Sequence, residues 1–224
     1  MNESVSAKGL PEVLPIFPLT GTLLLPGTTL PLHIFEPRYR NLVEDALSKD
    51  KVFGMIQPFV PREDNRPLPG AEKETPELYH VGCAGVIEKW EKTPDGRYGI
   101  YLRGVNRFRI EEELPVHRGY RRVKARYDVF SDVTTDENWH CDRPAIRLAL
   151  EGYAKAMGLR VQLEEIDRIQ DVELVNGLSV SLPLHPAEKQ ALLEAPSLDD
   201  RSVILLDLLK LEGASEGTST GPTT

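Results

Sequence analysis

One stretch, residues 23–47, constrains the fold of this chain more than any other. Its sequence is LLLPGTTLPLHIFEPRYRNLVEDAL. The Pro26-Gly27 pair predicts a tight turn between two short apolar strands, because proline presets a negative φ and glycine tolerates a positive one. Pro37 suits the first position of a helix, where an amide hydrogen is not needed. The stretch therefore predicts a strand, a turn, a second strand and a helix.

The helix after Pro37 is predicted from a single apolar stripe. Apolar side chains recur three and four residues apart, and polar or charged side chains occupy the positions between them. This is the spacing of an amphipathic helix that buries one face. The predicted buried residues are Tyr39, Leu42, Val43, Ala46 and Leu47.

Short strands and tight turns are predicted on both sides of this stretch. Residues 13–19 form an apolar run that contains Pro15 and Pro18, and prolines suit an edge strand better than a central one. Residues 79–92 predict a longer strand, in which two glycines indicate a bulge or a close backbone approach. The sequence Pro94-Asp95-Gly96 then predicts a hairpin turn.

The strand that follows this turn is predicted to have one apolar and one basic face. Tyr98, Ile100, Leu102, Phe108 and Ile110 share one parity, and the opposite parity carries Arg103, Arg107 and Arg109. We interpret Gly104 as a backbone requirement and Glu111–Glu113 as a solvated turn. A last strand is predicted over residues 122–129.

The periodicity of the chain changes after residue 142 from two to about 3.6, which indicates helices. The predicted class is α+β, with a β-rich half followed by an α-helical bundle. The predicted divisions are a flexible leader at 1–10, a β-rich barrel-like half at 11–130, a linker at 131–142, a helical bundle at 143–212 and a disordered tail at 213–224.

The composition of the chain bears on where in the cell the protein is located. The chain has 224 residues, and no apolar run approaches the roughly 18 residues that span a bilayer. No basic segment followed by an apolar run stands at the N-terminus. The two cysteines, Cys83 and Cys141, are far apart and predict neither a disulfide framework nor a zinc module. These features predict a cytoplasmic protein without a membrane partner.

Charge is unevenly distributed along the chain. Residues 97–126 hold nine Lys/Arg and three Asp/Glu, whereas residues 127–224 hold eight and eighteen. The basic segment is compatible with a nucleic-acid surface, but it also fits the wet face of a half-buried sheet, which we favour. Whether the acidic helical half covers this basic segment stays open at this point.

No catalytic, metal or cofactor site is expected. The histidines show no helical pairing and no short Cys/His spacing, and no serine lies in a GxSxG pattern. The chain is therefore predicted not to be an enzyme, although an unrecognised active site stays a third alternative. The histidines considered were His33, His80, His117, His140 and His185.

Four blocks of sequence together resemble a known family. In order they are PIFPL, LPGTTLPLHIFEPRYRNLVEDAL, VGCAGVIEKWEKTPDGRYGIYLRGVNRFRI and VNGLSVSLPLHPAEKQALLEAPSLDDRSVILLDLL. They resemble the N-terminal substrate-binding domain of Lon proteases over roughly residues 11–211. The resemblance implies a β-rich, PUA-like pseudo-barrel with one helix, followed by a helical bundle. This agrees with the change of period after residue 142.

The modules that give a Lon protease its activity have no counterpart in this sequence. We find no GxxxxGK[ST] phosphate loop and no Ser-Lys proteolytic module, so a stand-alone, non-catalytic form of the domain is expected. The resemblance implies binding of unfolded polypeptide or of a specific partner, with an ATP-dependent protease as a candidate partner. A nucleic-acid-binding PUA-like protein is the alternative.

Six residues are the candidates for peptide binding, and all lie in the blocks that carry the resemblance. They are Phe35, Arg38, Tyr39, Arg103, Arg107 and Phe108. For Arg38 and Tyr39 we favour a structural role, because both stand where the helix begins. The expected location is a groove between the barrel and the helical half, together with the proline-rich loop at 58–77. Strand addition at the proline-containing edge and docking in an apolar groove are the available modes.

Overall fold

The computed structural model describes residues 9–59, 76–130, 138–162, 166 and 168–214. Within these residues the strands precede most of the helices, and the predicted α+β class is confirmed. The strands are β1 (Val13–Pro18), β2 (Thr29–Ile34), β3 (Val52–Ile56), β4 (Val81–Lys92), β5 (Tyr98–His117) and β6 (Tyr120–Arg126). The helices are α1 (Pro37–Leu47), α2 (Arg143–Ala156), α3 (Asp171–Ser181), α4 (Pro186–Glu194) and α5 (Leu198–Ala214).

The long strand β5 closes the sheet into a pseudo-barrel. One of its edges pairs with β4 over residues 98–109. The other edge pairs first with β2, over residues 98–103, and then with β6, over residues 109–117. Because β6 continues through β1 and β3 back to β4, five strands form a ring, and β2 adds to it at one end of β5.

The prediction that β1 is an edge strand is wrong. It pairs in parallel with β3 and antiparallel with β6, so it lies inside the ring of strands. The two partners overlap only at Ile16. Pro15 lies where β6 alone is the partner, and Pro18 lies where β3 alone is the partner. Each proline therefore occupies a locally one-sided position, which is why a ring strand tolerates both of them.

Residues 23–47, the stretch that most constrains the fold, fold largely as predicted. The Pro26-Gly27 turn forms with a φ of 84° at Gly27. Helix α1 buries four of its five predicted residues, and the fifth, Leu47, is half-buried. The predicted strand at Leu23–Leu25 is wrong, because these leucines are buried outside any strand. They cross the sheet at Gly104, where a Cβ atom would lie 2.2 Å from the main-chain oxygen of Leu25. The backbone role predicted for Gly104 is thereby explained.

Glu111–Glu113 belong to β5, so the prediction of a turn is wrong. These carboxylates pair with the basic residues of the neighbouring strand. Glu113 accepts from Arg121 at 2.6 Å, and Glu111 lies 3.2 Å from Lys124. Two basic side chains of β6, those of Arg121 and Lys124, are thus paired with carboxylates of the sheet itself.

Two apolar clusters stabilise the fold. The smaller one contains residues of all five ring strands and no helix, and the Phe108 ring lies at its centre. The larger cluster joins α1 and parts of the sheet to the buried faces of α2 to α5. The sheet and the helical half therefore share one continuous core, and the predicted domain divisions stay predictions.

Side-chain caps define two helix starts in the helical half. Asp142 accepts from the Ala145 amide at 3.0 Å, and Ser197 accepts from the Asp200 amide at 3.1 Å. Gly213, where the predicted tail begins, continues α5 and packs against α2. Residues 215–224 of the predicted tail lie outside the described residues. The same holds for residues 1–8 of the leader, 60–75 of the loop and 131–137 of the linker.

Candidate functional site

Phe35 is the most exposed of the predicted site residues. It lies between β2 and α1 and exposes 64% of its surface. Ile34, directly before it, is 2% exposed and Tyr39, four residues later, is 7% exposed, whereas Pro37 and Arg38 between them are exposed. A phenylalanine that contributes little to the core at such a corner is available to a ligand.

Three further exposed side chains continue from Phe35 along the sheet. On β2, Pro31 and His33 are exposed, and they alternate with the buried Leu32. Pro31 pairs in register with Tyr101 of β5, which is 51% exposed. Opposite residues of an antiparallel pair lie side by side on one face. We call these four residues, Pro31, His33, Phe35 and Tyr101, the β2 surface.

Arg38 and Tyr39 both lie in the first turn of α1, where Arg38 is exposed and Tyr39 is buried. The Arg38 guanidinium lies 2.8 Å from Glu36 and 4.6 Å from the centre of the Tyr39 ring. Tyr39 is buried, with its ring centre 4.1 Å from that of Phe17. Burial raises the pKa of the Tyr39 hydroxyl above its usual value. Tyr39 therefore stabilises the packing of α1 on the sheet, and only Arg38 is accessible.

Arg103 lies on β5 beside the first residue of β2, Thr29. Its Nε atom is 2.5 Å from Glu88 on β4, and its side chain is partly exposed. The Glu88 carboxylate therefore balances the positive charge of Arg103 at this end of the β2 surface. Arg103 is thus a neighbour of the β2 surface, with its guanidinium already engaged.

Arg107 and Phe108 are buried, so neither can contact a ligand at the surface. Arg107 is 1% exposed and donates to the main-chain oxygens of Leu193 and Ala195 at 2.8 and 2.6 Å. Its guanidinium also lies 4.0 Å from the centre of the Phe130 ring. Phe108 is completely buried within the ring of strands. The alternating pattern did not distinguish a buried arginine from a solvated one.

The groove expected between the barrel and the helical half is filled where β3 and β4 meet α4. The Gln57 side chain donates to the Pro186 oxygen at 3.0 Å and to Gln190 at 3.1 Å. Gln190 in turn donates to the Val81 oxygen at 3.1 Å. Because Gln57 and Gln190 are 2% and 3% exposed, this part of the junction offers no groove to a peptide.

An apolar groove that the sequence did not reveal lies within the helical half. It encloses about 640 Å³ between α2, α3 and the segment that joins them. Apolar helix residues that line a groove have the same spacing as residues of a closed core, so periodicity could not separate the two. The lining includes Leu150, Val161, Ile166, Ile169, Leu174 and Leu178.

The described residues contain no cluster of three or more His, Cys, Asp or Glu side chains suited to a metal ion. The five histidines are all exposed. Cys83 and Cys141 are both free thiols. In the part of the chain that the structure covers, no helix is long and apolar enough to cross a membrane.

The base of the proline-rich loop, at 58–59 and 76–78, is described although residues 60–75 are not. Pro58 and Leu78 form an isolated antiparallel bridge, and the Phe59 amide donates to the Glu77 oxygen at 2.7 Å. The Phe59 ring also packs edge-on against Tyr79, with the ring centres 5.2 Å apart. The two ends of the loop are therefore held together.

The architecture defines an α+β protein in which a closed pseudo-barrel and a helical half share a core. A family model described as the ATP-dependent protease La (LON) substrate-binding domain matches residues 13–211. The chain belongs to this family, and the resemblance seen in its sequence is confirmed.

Two relatives found by sequence similarity are Lon proteases, in agreement with the family assignment. The chain is 31% identical over 215 residues to Lon protease 2 of Myxococcus xanthus and 27% identical over 215 residues to Lon protease of Anaeromyxobacter dehalogenans. Each alignment covers 92% of this chain and 24% of the relative, so the chain spans about a quarter of their length.

Two solved structures share the fold. One is the Lon N-terminal domain protein from Xanthomonas campestris, at 24% identity and a TM-score of 0.56, covering 88% of this chain and 96% of that one. The other is the N-terminal domain of Mycobacterium avium complex Lon protease, at 16% identity and a TM-score of 0.56, covering 90% and 98%.

Proposed function

We propose that this chain is a non-catalytic polypeptide-binding module whose ligand contacts the β2 surface. The observation that carries the proposal is the 64% exposure of Phe35, which directly follows the buried last residue of β2, Ile34. Large aromatic side chains that lose their water on binding are frequent anchors of protein interfaces. Pro31 and Tyr101 extend the exposed apolar area along the strand.

The family supports a polypeptide as the ligand, because its description names a substrate-binding domain of a protease. The ligand we propose is an unfolded segment or a specific partner protein. The chain would then act as an adaptor that holds a polypeptide, with an ATP-dependent protease as a candidate partner. The cytoplasmic location predicted from the sequence belongs to the same proposal.

Nucleic acid is the weaker alternative. Recognition of phosphates needs basic side chains that are free to replace counterions. Within residues 97–126, Arg103, Arg121 and Lys124 lie within 3.4 Å of carboxylates, and Arg126 pairs with Asp128 at 3.0 Å. These pairs lower the charge that the basic segment presents to a nucleic acid.

Fluorescence anisotropy distinguishes the two ligands. A labelled, permanently unfolded polypeptide and a labelled single-stranded RNA are each titrated with the chain at low and at high salt. We expect saturable polypeptide binding that changes little with salt, because apolar contacts carry it, and no saturable RNA binding. Binding of RNA alone, with a steep loss at high salt, would contradict the proposal.

A further inference from the structure

Resting on the proposed function, we propose that the bound polypeptide adds to β2 as an extended strand, through main-chain hydrogen bonds. The strand order places β2 at the end of the sheet, and among the described residues it pairs only with β5. We call the side of β2 that faces away from β5 the β2 edge. An unpaired strand edge presents amide and carbonyl groups to any extended chain.

The register identifies which main-chain groups point to the β2 edge. Thr29 pairs with Arg103, and the Gly104 amide donates to the Thr28 oxygen at 2.9 Å. A bond from that position flanks a pair of residues that exchange no hydrogen bonds with each other. Bonded and non-bonded pairs then alternate along the ladder, so Leu30, Leu32 and Ile34 bond to β5 while Thr29, Pro31 and His33 face the β2 edge.

Pro31 supports this register and limits what can bind. A proline has no amide hydrogen, and it is tolerated in a strand where that hydrogen would face away from the ladder. The β2 edge consequently offers the amides of Thr29 and His33 and the carbonyls of Thr29, Pro31 and His33. This interrupted set suits a short segment of chain, because the missing donor at Pro31 breaks any long continuous ladder.

The surroundings of the β2 edge favour an apolar segment of low charge. The two arginines nearest to β2 are already paired, Arg103 with Glu88 and Arg38 with Glu36, and Lys89 lies farther away, on β4 opposite Tyr101. Phe35, at the end of β2, supplies an apolar contact for a side chain of the added strand. We infer that the substrate class is an extended, largely uncharged segment, recognised by its main chain and one apolar side chain.

Backbone-modified peptides test this mode of binding directly. The probe is a short labelled peptide of alternating valine and threonine, compared with two versions that carry N-methyl groups on alternate amides of opposite parity. We expect one methylated version to bind about tenfold more weakly or worse, because it loses the amides that face β2, and the other to keep at least part of the affinity. Equal binding of all three peptides would overturn strand addition.

A pair of variants at one position tests the same mode from the protein side. His33→Pro removes an amide that points to the β2 edge, whereas His33→Ala keeps it and removes only the side chain. We expect a loss of about tenfold for His33→Pro and less than about twofold for His33→Ala, with both folded by circular dichroism. An equal loss in both variants would assign the effect to the imidazole and overturn main-chain recognition.

The outcome separates this inference from the proposed function. If the unmodified peptide and an unfolded polypeptide both fail to bind, the proposed function itself fails. If they bind but ignore N-methylation and His33→Pro, only strand addition fails. The other possible occupant of the β2 edge is a second copy of the chain, and sedimentation without peptide tests it. If the parent chain is a dimer, the His33→Pro variant is a monomer and no peptide binds, the peptide is not the occupant.

Discussion

The Arg107 side chain donates a 2.6 Å hydrogen bond to the main-chain oxygen of Ala195, the residue directly after α4. A second bond from the same nitrogen reaches Leu193 at 2.8 Å. The last carbonyls of a helix have no partner within the helix, and a cation satisfies them well. A strand of the pseudo-barrel thus caps a helix of the other half, which ties the two halves together.

Replacing this arginine should destabilise the fold. Arg107→Met keeps a flexible apolar side chain but leaves the carbonyls of Leu193 and Ala195 buried without this donor. We expect the free energy of unfolding to fall by about 3 kcal/mol, measured by urea denaturation. The exposed Arg109→Met serves as the control, with an expected change within about 0.5 kcal/mol. Equal stability of both variants would contradict the role of Arg107.

Two glycines of β5 should respond in opposite ways to alanine. A Cβ atom at Gly104 would lie 2.2 Å from the Leu25 oxygen, whereas nothing lies within 4 Å of the corresponding position at Gly99. We expect Gly104→Ala to lower the unfolding free energy by about 2 kcal/mol or more, because backbone would have to move. Gly99→Ala should be neutral or slightly stabilising. Thermal unfolding of the two variants tests the contrast.

The elements that could be predicted best from the sequence are those that depend on residues close together in the chain. The Pro26-Gly27 turn and α1 follow from neighbouring residues, and both form as predicted. The pairing of β1 on both sides could not be predicted, because one of its two partners, β6, lies more than a hundred residues later in the chain. Local patterns identify an element, while partners distant in sequence decide its place in a sheet.

The candidate site shows the same division. Exposure of Phe35 and burial of Phe108 are opposite outcomes for two phenylalanines that the resemblance treats alike. Arg107 has the same parity as the exposed Arg109, so the strand pattern predicts the same solvated face for both. Its burial depends on the end of α4 packing over it, a tertiary contact that no period of the strand encodes.

Acid should weaken the structure through Asp171, at the start of α3. Although partial burial opposes ionisation, hydrogen bonds from Arg143, His140 and the Cys141 amide hold the pKa of this carboxyl below its usual value. A carboxyl with a lowered folded-state pKa contributes stability above its unfolded pKa, about 3.9, and that contribution disappears as pH falls through the folded value.

The Asp171→Asn variant isolates this contribution. We expect it to be less stable than the parent at pH 7 and to lose less stability than the parent as pH falls below about 4. Urea denaturation at several pH values measures both slopes. Parallel pH profiles of the variant and the parent would show that Asp171 does not carry the effect.

Neither thiol should react readily in the folded chain. Burial, followed by the nearby charge of Asp171, raises the pKa of the Cys141 thiol to about 11. At pH 8 only about one molecule in a thousand would then carry the reactive thiolate. Cys83 is 1% exposed. We expect slow reaction with a disulfide reagent in the native state and rapid reaction of both thiols in urea. Fast native labelling that Cys141→Ser abolishes would contradict this.

The exposed Phe35 is the residue on which the proposed function depends most. Leu148 on α2 offers a matched control, because it is also a large apolar residue and is 72% exposed, against 64% for Phe35. Neither substitution by alanine should change the unfolding free energy by more than about 0.5 kcal/mol, since neither residue is in the core. A difference in polypeptide affinity between the two variants then reflects the position of the lost side chain and not a change in stability.

The most direct test is the dissociation constant of a labelled, permanently unfolded polypeptide for the parent chain, Phe35→Ala and Leu148→Ala, measured by anisotropy under identical conditions. We predict that Phe35→Ala weakens binding about tenfold or more, as expected for an interface anchor, and that Leu148→Ala changes it less than about twofold. Unchanged affinity in a folded Phe35→Ala variant, or an equal loss in both variants, would contradict binding at the β2 surface.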